Sequence, residues 1–135
     1  SQSAENRNQK RVSQLCSVKG IGLITAASLM AYLPELGSVG RREIAALSGL
    51  APYNNDSGKH KGKRYICGGR FSVRRSLYMA CWSVIRFQPE FNARYKALRD
   101  KGKCAKVALI ACMRVLLIRL NAMIRDGSEW SDRVA

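Results

Sequence analysis

The sequence is poor in histidine and in acid, and its cysteines do not pair. One His, at position 60, and five Cys without a Cys-x-x-Cys spacing leave no zinc-ligand pattern. Cys81, Cys104 and Cys112 fall in apolar helical patterns and are expected to be small core residues in a reducing compartment. No charge-free apolar run reaches about 18 residues. The most apolar stretch, Val107 to Leu120, is broken by Arg114 and Arg119, so no spanning helix and no membrane partner are expected. The first residues, SQSAENRNQKR, carry neither a starting Met nor a signal-peptide pattern, and the chain is expected to begin inside a longer gene product. The nine acids are scattered. None pairs at a spacing that suggests Mg²⁺, and Asp126, Glu129 and Asp132 read as solvated tail residues, so no cofactor is expected in this chain.

What is abundant is positive charge. The 135 residues hold 24 Lys or Arg against 9 Asp or Glu, a net charge of +15. Such a surface repels itself, and nucleic acid is the usual partner that relieves it, ahead of an acidic membrane surface. Apolar residues make up 47%, enough for a real core. The periodicity predicts an all-α domain: helices over about 5–16, 23–33 and 41–48, a long loop over 51–71, then three helices from a Ser72 N-cap to Asp126. The organisation reads as an N-terminal helix or linker (1–17), a hairpin region (18–50), the basic loop (51–71), a three-helix packing region (72–126) and a flexible tail (127–135). The last helix is apolar on most sides. It should be central to the core, and it could also carry a homo-oligomer contact.

Val18-Lys19-Gly20-Ile21-Gly22 lies between two helical patterns. Gly20 suits a turn dihedral that other residues resist, Gly22 suits close backbone approach, and Ile21 can pin the hairpin from inside. The unpaired N–H groups that open the second helix suit a phosphate oxygen, with Lys19 adding charge. This arrangement resembles the helix-hairpin-helix motif, which binds the backbone of duplex DNA without reading bases. A second such turn is expected at Gly37 to Gly40. There Arg41 and Arg42 open a helix, a poor place for cations unless an anion sits beside them.

Between Ser57 and Arg75 stand Lys59, Lys61, Lys63, Arg64, Arg70, Arg74 and Arg75, with no acid among them. Glycines and Tyr53, Tyr65 and Phe71 are interleaved, a mix that suits sugar or base contacts beside phosphate contacts. Ser57 has Lys59, His60, Lys61 and Lys63 close by. Positive groups of this kind stabilise a pentacovalent phosphorus and ease loss of a serine proton. Spacing alone also fits an ordinary Ser-Gly turn.

The order VKGIGLITAASLMAYLPELG, REIAALSGLAPYNNDSGKHKGKR, then Gly-Gly before RFSVRRSLYMACW resembles the C-terminal domain of the Piv-type (DEDD) insertion-sequence transposases, associated with bridge-RNA-guided recombination. The resemblance covers roughly residues 12 to 100 and implies several things. A resolvase-like N-terminal domain, absent from this chain, would hold Mg²⁺ with four acids. A serine before glycine, matching Ser57, would attack the DNA backbone and form a phosphoseryl link. Pro52, Gly58 and Lys59, then Gly62, Gly69, Arg70 and Arg75, match the surrounding pattern. The sequence departs from the family at Gly68-Gly69-Arg70, where an Asn or Asp commonly follows the Gly. Implied partners are DNA, a guide RNA and the N-terminal domain, in a bacterial cytoplasm near the nucleoid. Alone, the chain is expected to bind DNA and not cut it.

Two other readings stand beside this one: a backbone clamp without chemistry, and a structural RNA-binding protein with a similar glycine hairpin. The Asn-Asp-Ser-Gly-Lys segment favours the transposase over the clamp, and the long apolar last helix argues against the RNA-binding protein. Ser72 reads as an N-cap and Ser76 lies one turn into the next helix, while Ser57 is the nucleophile that the resemblance implies.

Overall fold

The computed structural model describes residues 2–50 and 70–130, and all regular structure in them is helical. The helices are α1 (Gln2–Cys16), α2 (Leu23–Tyr32), α3 (Arg41–Leu47), α4 (Phe71–Phe87), α5 (Pro89–Asp100) and α6 (Ala105–Asp126).

Each helix starts and stops for a local reason. After α2 ends at Tyr32, Pro34 disfavours further helix at Leu33, its C-cap. Ser48 closes α3, and Gly49 follows at a φ of 72°, the left-handed dihedral that glycine supplies cheaply. Pro89 opens α5 at a position whose N–H would have no intrahelical acceptor. α4 starts earlier than the sequence suggests: its N-cap is Arg70, and Ser72 is already inside the helix. A serine three residues after a Gly-Gly pair looks like a cap, but here the extended backbone at Arg70 makes the turn into helix.

The core is built on α6, against which α1, α3, α4 and α5 pack, while α2 sits on α1 and α4. Ala108, Leu109, Cys112, Met113, Leu116, Leu117, Leu120, Asn121, Met123 and Ile124 are all buried along it. α4 contributes Val73, Leu77, Ala80, Cys81, Val84 and Ile85, spaced at threes and fours. By length and composition α6 would pass for a membrane span, so the charge-interruption rule alone does not exclude one. Its packing accounts for the apolarity: it is the buried helix of this bundle, and Arg119 on it pairs with Glu90 of α5.

Two cysteine expectations hold and one fails. Cys81 and Cys112 are buried, whereas Cys104 is the exposed N-cap of α6. Its place in an apolar run misleads because the helix begins only after it. Of the expected tail, residues 127–130 are described, and Trp130 anchors them on the core. Gly127 ends α6 at a φ of 68°, and Trp130 then turns back into the core, stacked 6.1 Å from Phe91. Its indole N–H donates to Gln88 Oε1 at 2.7 Å.

Candidate nucleic-acid interface

The turn between α1 and α2 is held from inside. Val18 is fully buried and Ile21 nearly so, and the Ile21 N–H donates to Val18 O at 3.0 Å. Gly20 has a φ of 112°, and a Cβ there would lie 3.0 Å from both the Cα and the N of Val84. The turn therefore rests directly on the backbone of α4, where no side chain fits. Gln88 adds a tether, its Nε2 donating to the Lys19 carbonyl at 2.9 Å. Lys19 itself points its charge to solvent, since the residue is exposed.

Gly22 is a different kind of glycine. Its φ is −88°, which any residue adopts, and a Cβ would meet nothing within 4 Å. It is the N-cap of α2, with no side chain capping the helix. The first intrahelical bond runs from the Ala26 N–H to Gly22 O, so the three amides between them have no intrahelical acceptor. Beside them Leu23 and Ile24 are 67% and 83% exposed, apolar surface that the core does not use.

The turn before α3 repeats this division of labour. Gly37 has a φ of 87°, and a Cβ there would lie 2.5 Å from Ile124 Cγ2. Its N–H donates to Asn121 Oδ1 at 2.6 Å, and Asn121 Nδ2 donates to Val39 O at 3.0 Å. Gly40, the N-cap of α3, again has an ordinary φ of −76°, open space around it and no side-chain cap. Arg41 and Arg42 follow it, both exposed. Each turn thus has one glycine demanded by the fold and one that the fold does not need.

Of the cations in the basic stretch, Arg70, Arg74 and Arg75 are described. Arg70 is engaged by the protein itself. Its Nη1 and Nη2 donate to Glu35 Oε1 and Oε2 at 2.7 and 2.8 Å, and Nη1 also donates to Tyr32 O at 3.0 Å. This hydrogen-bonded guanidinium holds the Glu35 carboxyl below its ordinary pKa. Arg74 and Arg75 are exposed on α4, and no carboxylate among the described residues pairs with them. Ser57, Lys59, His60, Lys61, Lys63 and Arg64 lie outside the described residues.

Asn121, Gln88 and Glu35 were not singled out from sequence, yet they position both turns and the start of α4. Asn121 carried a readable signal, a lone amide in an otherwise apolar helical stripe. Among the described residues no group of His, Cys, Asp or Glu could hold a metal ion, and Glu35 and Glu90 are occupied by arginines. The described surface therefore does not fit Mg²⁺, and what it presents is open helix amides and exposed cations.

Comparison with known proteins decides the class. The family model "Transposase IS116/IS110/IS902 family" matches residues 12–96, from the last turn of α1 to within α5. The chain belongs to this transposase family. It is 31% identical over 129 residues to the pilin gene-inverting protein of Moraxella lacunata, covering 92% of this chain and 40% of that one. It is 29% identical over 122 residues to the insertion element IS110 uncharacterized 43.6 kDa protein of Streptomyces coelicolor, covering 89% and 30% respectively. A Mycobacterium paratuberculosis protein of insertion element IS900 is 31% identical over 132 residues, 92% of this chain and 32% of that one. The chain thus spans between 30% and 40% of the length of these relatives. No solved structure matches.

Proposed function

We propose that this chain is the DNA-binding, serine-bearing C-terminal region of a transposase that grips the sugar-phosphate backbone and supplies the nucleophile for strand transfer. The observation that carries the reading is the pair of glycine-capped helix starts within a family-matched stretch. Gly22 and Gly40 serve no conformational or packing need, and each leaves helix amides open beside exposed cations. Amides and cations at a helix start suit a phosphate and carry no base specificity. Lys19, Arg41, Arg42, Arg74 and Arg75 supply the surrounding charge, with Gly20 setting the first turn. Lys59, His60, Lys61, Lys63 and Arg64 extend it along the basic segment, and Arg70 anchors the end of that segment on Glu35.

In the chemical step the Ser57 hydroxyl attacks a backbone phosphorus. An Oγ–P bond forms and the bond to one deoxyribose oxygen breaks. That oxygen leaves as a free hydroxyl, taking up the proton that the serine gives up. The neighbouring lysines stabilise the charge that builds on the non-bridging oxygens. The relatives' names support the setting: two are products of insertion elements and one inverts a pilin gene. Ser57→Ala in the longer protein tests the reading. It should abolish the covalent protein–DNA adduct, seen as a band that survives denaturation, while leaving duplex affinity within about twofold. An adduct that survives the substitution would move the nucleophile to Ser72 or Ser76.

A further inference from the structure

Large apolar side chains crowd one exposed face at the start of α4. Phe71 is 76% exposed, Met79 58% and Tyr78 48%. Phe71 and Tyr78 stand seven residues apart, two turns along one helix face. Tyr78 also meets Trp82 edge-on, with ring centroids 6.4 Å apart. These side chains open onto a groove of about 450 Å³ between α4 and α6, floored by apolar residues of α6. Arg74, Arg75 and Lys106 line it as well, and among the described residues no acidic one does. Among the described residues the ion pairs use other arginines, so these three charges have no carboxylate partner.

We infer that this groove takes an unpaired nucleobase of a nucleic-acid strand, stacked on Phe71 and Tyr78, with the strand's phosphates held by Arg74, Arg75 and Lys106. The inference rests on the nucleic-acid reading above and adds what the strand must look like. A groove of about 450 Å³ with apolar walls and a few convergent charged groups has the form of a binding site. The cations decide what binds. An apolar helix laid into the groove would cover three charges without pairing them, which is costly. A single strand brings flat apolar bases and phosphates together, matching rings and cations at once. A paired duplex keeps its bases stacked inside and can offer only phosphates.

The test uses the full chain and oligonucleotides with 2-aminopurine at one position, whose fluorescence falls when the base stacks on an aromatic ring. Four probes are compared: a matched DNA duplex, the same duplex with a one-nucleotide bulge, single-stranded DNA and single-stranded RNA. The bulged and single-stranded probes should be quenched on binding. Phe71→Ala with Tyr78→Ala should weaken their binding about tenfold, the loss expected for one stacked base, with matched-duplex affinity within about twofold. Because both rings are exposed, the melting temperature should hold, and photocrosslinking of the unsubstituted chain to the Phe71–Met79 peptide gives an independent readout. Whether the DNA or the RNA probe shows the larger ring-dependent loss names the strand. Binding of matched duplex with no preference for an unpaired base would overturn this inference and leave the backbone-gripping reading intact. No binding to any probe would overturn both. A dimer that dissociates in the double variant, with oligonucleotide binding unchanged, would assign the groove to a second copy and overturn it too.

Discussion

Arg70 grips Glu35 with both arms of its guanidinium, fastening the N-terminus of α4 to the turn that follows α2. The contact ties Arg70, the first described cation of the basic stretch, to a residue 35 positions earlier in the chain. Both side chains are about a third exposed, so solvent screens the pair and its removal should cost no more than about 1 kcal/mol. Urea denaturation of Glu35→Gln at neutral pH should show a shift of that size.

The same pairing dictates acid behaviour. The Glu35 and Glu90 carboxyls are held below their ordinary value of 4.5, first by hydrogen bonds from Arg70 and Arg119. A depressed carboxyl contributes stability that is present above that value and is lost as the pH falls through the lower, folded one. Stability should therefore be flat near neutrality and decline below about pH 4.5. The decline should be shallower in Glu90→Gln, which starts from a lower plateau. An acid limb unchanged in that variant would show that the Arg119 pair is not responsible.

Asn121 is 1% exposed and satisfies two backbone groups of the second turn. Asn121→Ala leaves the Gly37 N–H and the Val39 carbonyl without their partner, at a cost of about 1–3 kcal/mol. Asn121→Leu should not restore it, although leucine suits the surrounding core. Thermal melting of the two variants checks this, and a leucine variant as stable as the parent would contradict it.

The glycines separate structure from function. Gly20→Ala places a methyl group against the α4 backbone at a positive φ and should cost about 1–3 kcal/mol. Gly22→Ser and Gly40→Ser insert a preferred N-cap in open space and should leave stability unchanged or slightly raised. The new hydroxyls bind the amides that the proposed phosphate would use, so duplex affinity should fall. Paired melting and fluorescence-anisotropy measurements distinguish the two effects.

Burial pushes the Cys81 thiol up to about 12, with Cys112 nearby adding to it, and raises the Cys112 thiol as well. Both should resist alkylation at neutral pH until the protein unfolds, while exposed Cys104 reacts at once. Peptide mapping after brief iodoacetamide treatment reads all three.

Periodicity made the helices legible because their burial is strict. The α4 spacing of Val73, Leu77, Ala80, Cys81, Val84 and Ile85 is the stripe that packs, and all six are buried. The glycine turns were visible as punctuation, but their division into fold-bearing and open glycines was not, since it depends on what lies opposite: Val84 for Gly20, Ile124 for Gly37, nothing for Gly22 and Gly40. Contacts distant in sequence escaped for the same reason. Nothing local marks Glu35 as the partner of Arg70, or Trp130 as the residue that Gln88 holds.

The most direct test of the account is the salt dependence of duplex binding by the full chain, compared with a Lys19→Ala, Arg41→Ala, Arg42→Ala triple variant. If these cations and the amides beside them hold phosphates, affinity falls steeply with salt in the parent, and the log–log slope of the variant is shallower by about 2 to 3. Equal slopes, or binding that ignores salt, would contradict it.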